Sequence, residues 1–168
     1  MRIALAQIAP VVGAFDDNVA QIAKAYEQAE SQGARILLTP ELGICGYPPH
    51  DLVERPEMLT RTQAALEKIQ KLTQGKKCAL VVGHVSLNSE KVGRRARNSL
   101  SVYENGKCIH TQSKILLPTY DIFDEARYFE PAQTLQPLKL DDKKIAFAIC
   151  EDLWAASEKS LGRRLYGK

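Results

Sequence analysis

The most constraining feature of the chain is an alternation of short apolar runs with amphipathic stretches of helical period. Ile3 to Ala9, Ile36 to Thr39 and Ala79 to His84 read as strands, each too short for a helix and rich in branched or small apolar residues. Between the first two, Val19, Ile22, Ala23, Tyr26 and Ala29 recur at three and four residues from Asp17 to Ser31, with Asp16 or Asp17 as the expected cap and Gly33 as the exit. A second helix is predicted from Pro56 to Leu72, with Leu59, Ala64 or Ala65, Leu66, Ile69 and Leu72 on one face. Pro56 suits its first turn and Gly75 its end.

Asn98 to Glu104 and Lys107 to Ser113 flank Asn105-Gly106, a dipeptide that accepts positive φ at both positions and so predicts a tight hairpin. A last strand is predicted from Ile145 to Ile149. Strand, helix, strand, helix, strand and then a hairpin implies an α/β layered fold with helices outside a sheet.

The chain has 168 residues, 45% hydrophobic and 26% charged, enough apolar material for one globular core. The net charge of +3 is spread among acidic residues, which gives no nucleic-acid surface. The one basic cluster, Lys91 to Arg97, surrounds Gly93 and reads as a solvated hairpin loop. No apolar run approaches the roughly 20 residues of a bilayer span. Met1 leads directly into Ile3 to Ile8, so neither a signal peptide nor a membrane partner is expected. Cys45, Cys78, Cys108 and Cys150 form no CxxC pair; reduced thiols in the cytoplasm are the simplest reading.

Three residues stand at strand ends, where α/β proteins assemble their sites. Glu41 follows the second strand in a loop stiffened by Pro40, Pro48 and Pro49, the rigid setting a general base needs. A capping or solvated glutamate fits that segment equally well. Lys114 closes the strand Lys107 to Ser113 among apolar neighbours; a buried lysine there would stabilise a developing oxyanion, although a strand-end lysine more often snorkels to water. Cys150 ends the last apolar run, the place of a nucleophile on a turn, although an inert core thiol is the default for any single cysteine. A cysteine–histidine arrangement would need His50, His84 or His110 as base, each of which has an ordinary packing explanation. A metal site built from them with Asp51, Asp121 or Asp124 lacks ligand spacing.

Pro40-Glu41-Leu42, Ser113-Lys114-Ile115-Leu116-Leu117-Pro118 and Ala148-Ile149-Cys150-Glu151-Asp152-Leu153-Trp154 resemble, in order, the three signature segments of the nitrilase superfamily. Within it, Gly46 to Leu52 and Leu117 to Phe129 resemble the glutaminase domain of bacterial glutamine-dependent NAD synthetases. The resemblance runs from Met1 to about Trp154 and implies an α-β-β-α sandwich. It implies that Glu41 is a general base, Lys114 an oxyanion-stabilising cation and Cys150 the nucleophile that attacks the glutamine side-chain amide. Glu125 would be a second carboxylate beside them, and Tyr47 and Tyr120 would lie near the substrate pocket.

On this reading glutamine is the substrate, and the amidase reaction needs no metal or organic cofactor. ATP and deamido-NAD belong to a synthetase domain, since no Ser-Gly-Gly-rich pyrophosphate loop occurs here; that domain or a second copy of the chain is the expected partner. Residues 1–154 are expected to form part of the hydrolase domain and 155–168 a divergent, truncated or frame-altered tail. Family members continue beyond the cysteine segment, so an incomplete sandwich with an exposed apolar sheet face is predicted, prone to aggregation or in need of a covering partner. Helical potential from Ser157 to Leu165 would cover part of it. The alternatives are an inactive fragment that only binds and another nitrilase-type carbon-nitrogen hydrolase.

Overall fold

The structure, a computed structural model, describes residues 1–156. Strands β1 (Ile3–Leu5), β2 (Ile36–Leu38), β3 (Ala79–Leu87), β4 (Ala96–Glu104) and β5 (Lys107–Ser113) form one sheet in the order β1-β2-β3-β4-β5. The first three are parallel and the last two antiparallel. Helices α1 (Phe15–Ser31) and α2 (Pro56–Leu72) make the crossovers between the parallel strands. A short helix α3 (Glu125–Tyr128) follows, then β6 (Leu138–Leu140) and β7 (Lys143–Ile145), which pair as a second, two-stranded sheet.

The expected layering is present. Ile22, Tyr26 and Ala29 of α1 and Ala65, Leu66 and Ile69 of α2 pack against Leu37, Leu80 and Val82 on one face of the five-stranded sheet. The other face, with Ile36, Val81, Leu100 and Val102, is covered by Leu138, Leu140, Phe147 and Ile149. Removing a side chain of this size from water contributes roughly 1.5–3 kcal/mol, so these two clusters set the order of the layers. Arg35 binds the second sheet to the first: it donates to both Asp141 carboxylate oxygens (2.8 and 3.0 Å) and pairs with Glu104 at 2.6 Å. The cover stops short of β1, where Ile3 and Leu5 are 54% and 78% exposed. An apolar sheet face left exposed is the expectation, and it needs correction: Leu138, Leu140, Phe147 and Ile149 bury most of that face, and the exposure is confined to β1.

Asn105 and Gly106 take φ of 48° and 72°, as the β4–β5 hairpin requires. Lys91 to Arg95 lie in the β3–β4 connection, before β4 opens at Ala96. Two further expectations need correction. Helix α1 begins at Phe15 behind Ala14, and neither Asp16 nor Asp17 caps it; both sit in the first turn, where their charge still complements the helix dipole. The strand expected over Ile145 to Ile149 is displaced: the ladder is Lys143–Ile145 against Leu138–Leu140. Beyond it Phe147 and Ile149 are buried and Ala146 and Ala148 exposed, a strand-like alternation with no ladder partner among the described residues. The predicted tail helix lies outside the described residues. Among those residues no helix is long and apolar enough to cross a membrane.

The helix-side face of the sheet also carries polar groups joined across strands. His84 Nε2 lies 2.8 Å from Ser101 Oγ, which is 2.9 Å from Thr111 Oγ1. Burial holds the His84 imidazole neutral, lowering its pKa from 6.5 to about 4. In the unfolded chain it takes up its proton below 6.5. The stability due to this group is therefore complete above that value and lost as pH falls toward about 4, some 3 kcal/mol in all. Urea unfolding at the two pH values should show this loss, and a His84→Gln variant should show a correspondingly smaller one. An unchanged pH slope in the variant would remove His84 as the cause.

Candidate active site

Three side chains of the site sit at one end of the five-stranded sheet: Glu41 beyond β2, Asn98 early in β4 and Lys114 beyond β5. The Glu41 loop is laid directly on β3. A Cβ on Gly83 would stand 2.5 Å from Leu42 N and 2.7 Å from Pro40 O, so only glycine lets the loop approach, and Ile44 N donates to Gly83 O at 3.0 Å. The far side of the loop is held by Asn18, fully buried in α1. Its Oδ1 accepts from Val11 N at 2.8 Å, and its Nδ2 donates to Val11 O (2.8 Å) and Ile44 O (3.2 Å).

Lys114 is completely buried, and its Nζ donates to Glu41 Oε1 at 2.7 Å and Glu125 Oε1 at 2.9 Å. Burial alone would lower the ammonium's pKa; the two carboxylates outweigh it and hold the group above its ordinary value. Glu125, 4% exposed, is pushed up by burial and by the Glu41 charge, against the pull of Lys114. One ammonium thus serves two carboxylates, of which Glu125 is the more deeply buried. Two neutral donors complete the cluster. Asn98 Nδ2 reaches Glu41 Oε1 (2.7 Å) and Glu125 Oε2 (3.4 Å), and Tyr47 OH donates to Glu125 Oε1 at 2.9 Å.

Cys150 opens a 3₁₀ turn, Cys150–Ala156, in the left-handed region at φ 48°. It shares a cavity of about 200 Å³ with Glu41, Val81, Gly83, Leu100 and Phe147. Burial, then the negative charge of Glu41, raises its thiol pKa; Lys114 acts in the opposite direction, and the charge of Glu125 adds to the rise. The expected trio of carboxylate, ammonium and thiol is therefore gathered in one place, with Glu125 and Tyr47 beside it. Tyr120 is half exposed and donates to Glu151 Oε2 at 2.7 Å, which puts it next to the cysteine turn. The histidines are engaged elsewhere: His84 in the sheet, His110 against Phe147 and His50 against Tyr128.

Sequence reasoning missed Asn18, Gly83, Asn98 and Asp152. Asn18 left a trace, since it interrupts the apolar stripe Phe15, Ile22, Tyr26 at a position the helical period buries. Asn98 is a buried amide at the start of a strand, and nothing local signals its two carboxylate partners.

A family model described as carbon-nitrogen hydrolase matches residues 2–159. A glutamine-dependent NAD(+) synthetase of Synechocystis sp. is 39% identical over 98% of this chain, which spans 30% of that protein. The corresponding synthetase structure from Acinetobacter baumannii superposes with a TM-score of 0.83 at 33% identity, covering 91% of this chain and 28% of the other. The chain thus spans under a third of the length of these synthetases. An amidase from Nesterenkonia sp. gives a TM-score of 0.75 at 25% identity, with 88% and 54% covered. A variant of that amidase is described as carrying acrylamide, by Michael addition, at its active-site cysteine.

Proposed function

The chain belongs to the carbon-nitrogen hydrolase family, and from that premise we propose that it hydrolyses the side-chain amide of glutamine through a thioester on Cys150, releasing ammonia. The observation that carries this reading is the position of Glu41, which accepts from Lys114 at 2.7 Å and lines the same cavity as Cys150, whose thiol its charge raises. A thiol with a raised pKa is protonated at neutral pH and needs a base at the moment of attack. Glu41 is that base.

In the first half-reaction Cys150 Sγ bonds to the amide carbon as its proton passes to Glu41. The carbonyl oxygen becomes an oxyanion facing the Lys114 ammonium. Collapse breaks the C–N bond, Glu41 gives its proton to the departing nitrogen, and ammonia leaves. Water then adds to the thioester with Glu41 again accepting a proton; the S–C bond breaks, glutamate departs and the thiol is restored. Glu125 and Asn98 hold Glu41 and Lys114 in register, and Tyr47 fixes Glu125. The steps use no metal or organic cofactor.

The names of the relatives support a destination for the ammonia: a synthetase domain, not contained in residues 1–168, that would use ATP and deamido-NAD. Residues 1–154 form the hydrolase part on this reading. A reducing compartment such as the cytoplasm suits its free thiol.

The test is incubation of the chain with glutamine, acid quench and peptide mass mapping, with ammonia measured in parallel. A glutamyl group on the Cys150 peptide and ammonia release are expected, both lost in Cys150→Ala. A folded chain giving neither would favour the binding-only fragment.

A further inference from the structure

We infer that Asp152 is a positioning residue that locks the Lys114 turn to the Cys150 turn, an inference that rests on the proposed amide hydrolysis for its functional meaning. Lys114 is the last residue whose main chain is still tied to the sheet: its N–H donates to Asn98 O at 2.8 Å and its carbonyl accepts from Ala132 N at 2.9 Å. The next two amides have left the ladder. Both donate to one oxygen of Asp152, Ile115 N to Oδ1 at 3.0 Å and Leu116 N to Oδ1 at 2.8 Å. The other oxygen, Oδ2, accepts from Ile149 N at 3.0 Å, and Asp152 N donates back to Ile149 O at 3.1 Å.

Three main-chain donors from segments more than thirty positions apart thus converge on one carboxylate. Its two oxygens face opposite ways, one toward the residue before the nucleophile and one toward the residues after the lysine. The arrangement suits a carboxylate specifically, since both oxygens accept and neither donates. It also accounts for the backbone of Cys150. A non-glycine residue at φ 48° persists only where its surroundings over-determine it, and the Ile149–Asp152 double contact closes that turn on itself. Glu41, Glu125 and Asn98 meet one another and Lys114 through side chains. Glu41 meets Lys114 and Cys150 through side chains alone, so it sets their chemistry without fixing the turns that carry them.

Asp152→Asn tests this, because an amide has one accepting oxygen and must turn its N–H₂ toward one set of N–H donors. Three readouts are taken on the 168-residue chain. Amide exchange by NMR should show Ile115, Leu116 and Ile149 protected in the wild type and at least one side exchanging about tenfold faster or more in the variant. Cys150 alkylation by iodoacetamide, resolved by peptide mass, should move its pH midpoint down toward the ordinary thiol value of about 8.5 as the turn carries the thiol away from the Glu41 charge and the cavity they share. Ammonia release should lose about 100-fold in kcat, as for a misplaced nucleophile, with KM changed less than about threefold.

Asp142→Asn, which removes an exposed acid elsewhere, controls for loss of charge. An Asp152→Asn protein with the wild-type alkylation profile overturns the inference, and so does rapid exchange of the three amides in the wild type, a result that needs no variant to fold. Absence of ammonia from the wild type would strike the proposed hydrolysis instead, while alkylation and amide exchange would still decide the role of Asp152.

Discussion

Lys114→Met is expected to cost about 3–5 kcal/mol in unfolding free energy and to abolish glutamine turnover. Methionine fills much the same length, so the loss is electrostatic rather than a cavity effect. Lys114 is the cation between Glu41 at 2.7 Å and Glu125 at 2.9 Å, and taking one partner from a buried ion pair leaves an uncompensated charge of about that cost. The penalty has a pH signature. Glu125 is already raised by burial and loses the ammonium that opposed the rise, so its folded pKa climbs further above the unfolded value. Protonation then favours the fold, and the deficit shrinks as pH falls. Urea unfolding across pH measures this, and Glu125→Gln added to Lys114→Met should recover part of the loss. A deficit below about 1 kcal/mol at neutral pH, the level of an exposed pair, would mean that the ammonium is not a structural element of the site.

Glu41→Gln separates stability from chemistry. Lys114 keeps Glu125, so the fold should hold, while the loss of a general base should lower ammonia release by about 10²–10⁴-fold. The thiol should respond in the opposite sense. Apart from burial, the largest influence raising Cys150 is the Glu41 charge, so the neutral glutamine lets the thiol ionise at lower pH, and iodoacetamide should label Cys150 faster at neutral pH than in the wild type. Faster labelling with collapsed turnover is the combined outcome that a base beside a nucleophile requires. Parallel loss of both would point to a turn that has moved, and unchanged turnover would remove Glu41 from the mechanism.

What the sequence revealed follows the range of the interactions involved. The stripes Ile22-Tyr26-Ala29 and Ala65-Leu66-Ile69 and the Asn105-Gly106 turn are local patterns, and all appear where expected. The trio Glu41, Lys114 and Cys150 was legible through short strings of neighbours and, for Glu41 and Lys114, through their place at strand ends. Failures came where a distant partner decides. Ile145 to Ile149 carries a strand-like run, but a ladder needs a second strand, and Leu138 to Leu140 pairs only as far as Ile145. Asp16 and Asp17 suit a cap, but burial of Phe15 starts the helix earlier. Asn18, Asn98 and Asp152 gain their meaning from partners 26, 57 and 37 positions away, separations that no periodicity encodes.

The bare backbone of Gly83 has a bearing on how the site can be altered. Because main chain lies on main chain at that point, the height of the Glu41 loop above the sheet is dictated by the thickness of two peptide planes, a dimension no choice of side chain can tune. Library searches for sturdier versions of this protein should find every neighbour along the same strand more permissive than that single rung.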